Sequence, residues 1–196
     1  MNVALPPSRV LSLFSGYGGL DLGLELAFGA RAVGYCEADP FAAAVLACRM
    51  ADGALGEGPI WADVRTLEGA AWRGIVDCVA GGSPCQDLSV AGARAGLDGA
   101  RSGLWWQQRR IIEEAQPAWV VWENVGGAIK QALPVVARSL EALGYRAAAC
   151  TLRASDIGAP HKRERVFVLA YSNRNALRLV AKRQQQHKAK RGKGFV

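Results

Sequence analysis

No apolar run in the 196 residues is longer than a strand, so no segment can span a bilayer and no membrane partner is expected. Met1 to Arg9 lack the apolar stretch of a secretory leader, and a cytoplasmic location is expected. Cysteine is sparse, with five residues at positions 36, 48, 78, 85 and 150. An odd count at irregular spacing supports neither a disulfide framework nor a CxxC metal site, so no metal is expected and each thiol is judged singly. The ordinary role for any one of them is a small buried apolar residue. Internal repeats are absent as well. Residues 172–196 have no acidic side chain but hold eight of the 24 Lys and Arg, which leaves the first 171 residues nearly neutral. Such a basic stretch can attract phosphate backbones through counterion release, or simply lie solvated. What remains is an ordinary globular balance, 51% apolar and 21% charged, in a chain long enough for one domain with a core. The expected division is a domain over 1–171 and a basic tail over 172–196.

Strand-like and helix-like patterns alternate along the chain. Val10–Phe14, Ala32–Cys36, Ile75–Ala80, Ala118–Trp122, Arg146–Leu152 and Val166–Tyr171 read as strands. Asp21–Phe28, a segment capped by Asp39 and begun by Pro40, Ser102–Ala115 and Ile129–Leu143 read as helices. This order predicts an α/β protein with a doubly wound, mostly parallel sheet covered on both faces. Ligands of such sheets collect at the carboxyl ends of the strands, where strand order reverses. The unusual residues are expected there: glycines after the first strand, Glu37 after the second, Cys85 after the strand at 75–80, and Glu123 after the strand at 118–122.

Phe14-Ser-Gly-Tyr-Gly-Gly19 reads as a tight strand-to-helix turn, whose glycines let backbone approach a ligand. Glu37 lies 18 residues past Gly19 and can accept the hydroxyls of a ribose. Together they suggest an adenosine-containing cofactor without separating NAD from S-adenosylmethionine. Asp63, in Trp61-Ala-Asp-Val64, can accept from an adenine amino group or act as a loop cap. In Gly81-Gly-Ser-Pro-Cys-Gln-Asp-Leu-Ser89, a cysteine following proline in a glycine-entered loop is held in a defined direction. Its thiolate is a nucleophile once its proton is removed. Glu123-Asn-Val125 supplies a carboxyl group able to act on a substrate nitrogen. In His161-Lys-Arg-Glu-Arg165, strand alternation is expected to put Arg163 and Arg165 on one face, suited to an anionic or carbonyl-rich ligand.

FSGYGG (14–19), GGSPCQDLS (81–89), ENV (123–125) and APHKRERVF (159–167) resemble, in order and spacing, the signature motifs of the DNA cytosine-C5 methyltransferase family. LDGARSGLW (97–105) resembles the motif that lies between the cysteine loop and ENV. The resemblance covers about residues 9–171. It implies a Rossmann-like fold dependent on S-adenosylmethionine, with DNA as partner. Phe14, Gly16, Gly18, Gly19 and Leu20 would hold the methionine part of the cofactor, and Glu37 the ribose. Asp63 and Val64 would border the adenine, while Pro84 and Leu104 complete the wall. Cys85 would attack C6 of a cytosine flipped out of the duplex. Glu123 would bond the N3 side of the ring, Arg165 the O2, and Arg163 would support the same pocket.

Two departures accompany the resemblance. His161 stands where the family usually has Gln. The family also normally continues with a target-recognition region and further motifs, for which the 25 residues after Tyr171 offer too little apolar content. The expectation is that a separate chain supplies target recognition, or that the gene is truncated or frame-shifted and the product is an inactive remnant that keeps the fold and a cofactor- or DNA-binding role. A tRNA cytosine-C5 methyltransferase is a further alternative, since one branch of the family modifies tRNA with the same residues. A dehydrogenase would leave the PCQ and ENV segments without a role.

Overall fold

The computed structural model describes residues 8–84, 103–130 and 132–172. In chain order these form β1 (Arg9–Leu13), α1 (Gly19–Phe28), β2 (Arg31–Cys36), α2 (Pro40–Ala51), β3 (Ile60–Trp61) and β4 (Cys78–Gly81), then α3 (Leu104–Ala115), β5 (Trp119–Val125), α4 (Ala132–Ala142), β6 (Tyr145–Arg153) and β7 (Glu164–Ser172). Short 3-10 turns cover Gly69–Trp72, Gly126–Ile129 and Ala154–Ile157.

The sheet has the order β3-β2-β1-β4-β5-β7-β6. β1 to β5 pair in parallel, and β7 runs antiparallel between β5 and β6. Strand alternation divides the core in two. Leu11, Leu13, Val79, Val120 and Trp122 face Ile111 and Ile112 of α3 and Val136 and Leu140 of α4. Val10, Ala80 and Val121 face Leu24 of α1 and Leu46 of α2. Both faces are covered, so the sheet is doubly wound. The carboxyl ends of β1 to β5 open along one edge, and strand order reverses between β1 and β4.

The differences from the sequence reading are local. β3 was not anticipated, because two residues show no alternation. The strand expected at 75–80 begins only at Cys78; Ile75 donates its N–H to Trp72 in a turn and is exposed. The helix expected from 129 starts at Ala132 after the 3-10 turn. β5 runs to Val125 rather than ending at Trp122, because the antiparallel partner β7 continues the ladder through Asn124↔Val166 and Val125↔Arg165. Glu123 therefore lies within a strand, one residue past the last parallel pairing, Trp122↔Gly81. β7 includes Ser172, whose N–H donates to the Ala118 carbonyl. No helix among the described residues is long and apolar enough to cross a membrane.

Candidate active site

At the end of β1 the chain turns sharply. Phe14, Gly16 and Gly18 have φ of 53°, 54° and 78°, in the left-handed region where a side chain is strained and glycine is not. Phe14 carries that strain while packing its ring on the α3/α4 core cluster. Gly18 is the N-cap of α1. A Cβ placed on Gly16 or Gly19 would meet no described atom within 4 Å, whereas one on Gly18 would sit 2.5 Å from the Leu55 side chain, so Gly16 and Gly19 are open and Gly18 is packed inward. Leu20 is half-buried against the opposite core cluster.

Glu37 follows β2 directly and ties this turn to α2. Its Oε2 accepts from Gly16 N at 2.6 Å and its Oε1 from Asp39 N at 2.9 Å. Asp39 in turn caps α2, with Oδ1 accepting from Phe41 N and Ala42 N, and Pro40 opens the helix as expected. Each carboxylate oxygen has two acceptor sites, so Glu37 keeps capacity for two hydroxyls. Asp63 follows β3; its Oδ1 accepts from Arg65 N at 2.9 Å and shapes its own loop. Val64 is buried, and its carbonyl accepts from Arg110 of α3, which fastens this loop to the helix bearing Leu104. Glycine turn, Glu37, Asp63–Val64 and Leu104 thus border one edge. The Glu37 carboxylate beside the turn can accept from hydroxyl groups of a ligand.

The second half of the edge is built by β4, β5 and β7. Arg165 Nε lies 2.8 Å from Glu123 Oε1, with the two side chains 22% and 28% exposed. A pair this accessible contributes on the order of 1 kcal/mol or less to stability, so holding the fold is not a sufficient reason for it. Arg165 Nη1 also donates to the Glu164 carbonyl. Among the described residues no hydrogen bond or ion pair engages its Nη2. Gly82 lies hard against the same carboxylate: a Cβ there would sit 2.9 Å from Glu123 O and 2.9 Å from its Oε2.

Arg163 does not follow the expected alternation. Its φ is 33°, just before β7 begins, and it is exposed, so the two-residue period that would align it with Arg165 does not reach it. No described salt bridge joins it to Glu123. Glu164 pairs instead with Arg153 across β6 and β7, at 2.8 Å.

Cys85 lies outside the described residues, but its approach is well fixed. Ser83 is fully buried; its Oγ accepts from Trp122 Nε1 at 3.1 Å and its carbonyl from Asn124 Nδ2 at 2.8 Å. Gln108 Nε2 donates to the Gly81 carbonyl at 3.3 Å. Pro84 follows and is exposed. Sequence reasoning missed Ser83, Trp122 and Gln108. Indole, hydroxyl and amide groups at strand or helix positions give no sign of which backbone they will hold. Burial pushes the Cys36 and Cys78 thiols up to about 12, with nearby carboxylates adding to it. Both stay protonated at neutral pH and are poor nucleophiles. No group of three or more His, Cys, Asp or Glu gathers among the described residues.

Asp21 was read only as part of a helix, yet it is 3% exposed. Its Oδ2 accepts from Ser12 Oγ at 2.9 Å, while Oδ1 is buried with no partner among the described residues. Burial raises its carboxyl to about 6, partly offset by the Ser12 bond. Tyr35 on β2 and Cys78 on β4 feel its charge. Because the folded value lies above the unfolded one, the folded state binds the proton more tightly. Stability from this group is present in full below about pH 4 and is lost as pH rises through 6. Asp21→Asn is therefore expected to gain stability over the native chain at pH 7.5, on the order of 2 kcal/mol, and to lose most of that gain at pH 4.5. Denaturant melts at the two pH values check this; an equal difference at both would show that the Asp21 carboxyl is not strained by burial.

The model of the C-5 cytosine-specific DNA methylases matches residues 8–194. The type II methyltransferase M2.BsuMI of Bacillus subtilis is 39% identical over 170 residues, covering 83% of this chain and 41% of that protein. The type II methyltransferase M.AquIA of Picosynechococcus is 35% identical over 176 residues, covering 82% of this chain and 71% of that protein. The crystal structure of a Spodoptera frugiperda DNMT2 mutant superposes with a TM-score of 0.66 at 20% identity, covering 85% of this chain and 50% of the other; it shares the fold. The chain thus spans only part of the length of these proteins, half or less for two of the three.

Proposed function

The chain belongs to the C-5 cytosine-specific DNA methylase family, and from that premise we propose that it transfers a methyl group from S-adenosylmethionine to C5 of a cytosine in DNA. The observation that carries this reading is the Glu123–Arg165 pair, half-buried on the ligand edge and touching Gly82 at the root of the cysteine segment.

The residues divide the work as the chemistry requires. An unactivated pyrimidine C5 is too weak a nucleophile, and covalent addition splits one hard step into easier ones. Cys85 Sγ forms a bond to C6, and the electron pair displaced toward C5 makes that carbon nucleophilic. Glu123 donates to or polarises the N3 side of the ring, and Arg165 binds the O2 where charge grows. Arg163, exposed beside this pocket, would support the pyrimidine or a flanking phosphate. S-adenosylmethionine supplies the electrophilic methyl group. The C5 proton then leaves to a base and the Sγ–C6 bond breaks, restoring the aromatic ring. Phe14, Gly16, Gly18, Gly19 and Leu20 would hold the methionine part, Glu37 the ribose, Asp63 and Val64 the adenine, with Pro84 and Leu104 as walls. The target base has to leave the duplex to reach the site.

Recognition of the target sequence would come from polypeptide beyond these residues, such as a complementing chain. A second reading, a cofactor-binding remnant, predicts S-adenosylmethionine binding without methyl transfer. A tritium-transfer assay on mixed-sequence duplex DNA, with tRNA as competitor, tests both. It should be run with and without the product of any adjacent reading frame. Label in DNA C5-methylcytosine is the expected result. Cofactor binding without transfer under both conditions would leave the remnant, and label in tRNA alone would change the substrate.

A further inference from the structure

Ser12 and Asp21 stand on either side of the glycine turn, the first on β1 and the second in the opening turn of α1. Their side chains meet at 2.9 Å in a buried setting and so close an eight-residue excursion of backbone with one bond. The bond continues inward. The Ser12 carbonyl accepts from Ser15 Oγ at 3.2 Å, Ser15 N donates to the Cys36 carbonyl at 3.2 Å, and Gly18 N donates to the Ser15 carbonyl at 2.9 Å. Gly16, between these points, is held by Glu37. These bonds tie the stretch from Phe14 to Gly19 to β1, to the end of β2 and, through Asp21, to α1.

We propose that Asp21 is a positioning residue for the cofactor turn, setting through Ser12 the backbone shape that receives the methionine part of S-adenosylmethionine. This rests on the proposed function above, in which that turn holds the cofactor. Fold stability gives no reason for a carboxylate at this place. One of its oxygens is buried with no hydrogen-bond partner among the described residues, and its charge is desolvated beside Tyr35 and Cys78. An apolar side chain would suit the Leu24–Leu46 core around it better. What the carboxylate adds is a directional acceptor that locks the strand end to the helix start.

The full-length chain and four variants test this by calorimetry with S-adenosylmethionine and by hydrogen exchange of the 13–20 backbone. Asp21→Ala and Ser12→Ala are each expected to weaken binding about tenfold, the worth of one buried hydrogen bond. The double variant should be no weaker than the weaker single, since both remove the same bond. Asp21→Asn, whose amide oxygen can still accept from Ser12, should bind within about threefold of the native chain. Exchange at Gly16 and Gly18 should quicken in both alanine variants, with thermal stability at neutral pH unchanged or raised in Asp21→Ala. Native affinity in the alanine variants, or additive losses in the double, overturns the proposal while leaving the cofactor reading intact. No binding by the native chain overturns both, and faster exchange in the variants would then mark Asp21 as a purely structural staple.

Discussion

Cys85→Ser is expected to abolish covalent capture of DNA carrying a 5-fluorocytosine at the target position, and to lower methyl transfer by about 10³-fold or more. Fluorine at C5 cannot leave as a proton does, so an adduct formed through Sγ persists and is seen as a shifted band. A serine hydroxyl at neutral pH is far less ionised than a thiol and far less nucleophilic. The buried thiols offer no substitute. Cys36 and Cys78 are held protonated by their burial, while Cys48 is exposed on α2 and Cys150 is exposed on β6, two strands from Glu123 in the cross-strand row Glu123–Phe167–Cys150. Peptide mass spectrometry of the trapped complex should place the DNA on residue 85. Equal capture by the serine variant, in the preparation where the native chain transfers methyl groups, would remove the nucleophile from the proposal.

Part of this was legible from residues alone. Three glycines in six positions after an apolar run announce left-handed backbone, and Gly16 and Gly18 adopt it. Asp39-Pro40 announces a capped helix, and the cap is made by the Asp39 carboxylate. These signals are local: the residue that carries the signal also makes the bond. The misreadings concern partners far away in sequence. Glu123 was placed after its strand because apolar character stops at Trp122, but β7 extends β5 by hydrogen bonds that do not depend on side-chain type. Arg163 was aligned with Arg165 on the assumption that the strand period starts early; one residue with φ of 33° ends that phase relation. Asp21 looks like an acid favourably placed in a helix's first turn. Its burial follows from where α1 lands on the sheet, which no window of α1 contains.

The same distinction bears on Glu123→Gln and Arg165→Ala, each expected to lower methyl transfer about 10²- to 10³-fold with little change in cofactor affinity. The carboxyl group lies on β5 and the guanidinium on β7, while the cofactor turn and Glu37 lie past β1 and β2, on the other side of the reversal in strand order. A loss confined to this half should therefore appear in the rate and not in S-adenosylmethionine binding. Stability should fall by about 1 kcal/mol or less in either variant, because both side chains are more than a fifth exposed. The double variant is expected to be little worse than the worse single, since the two groups act on one ring through one ion pair. Arg163→Ala should lose much less than Arg165→Ala, given its exposure and its place outside β7. If Glu123→Gln kept the native rate, or if both variants lost cofactor binding in proportion to rate, the pair would be a structural tie between β5 and β7, and pyrimidine activation would need another residue.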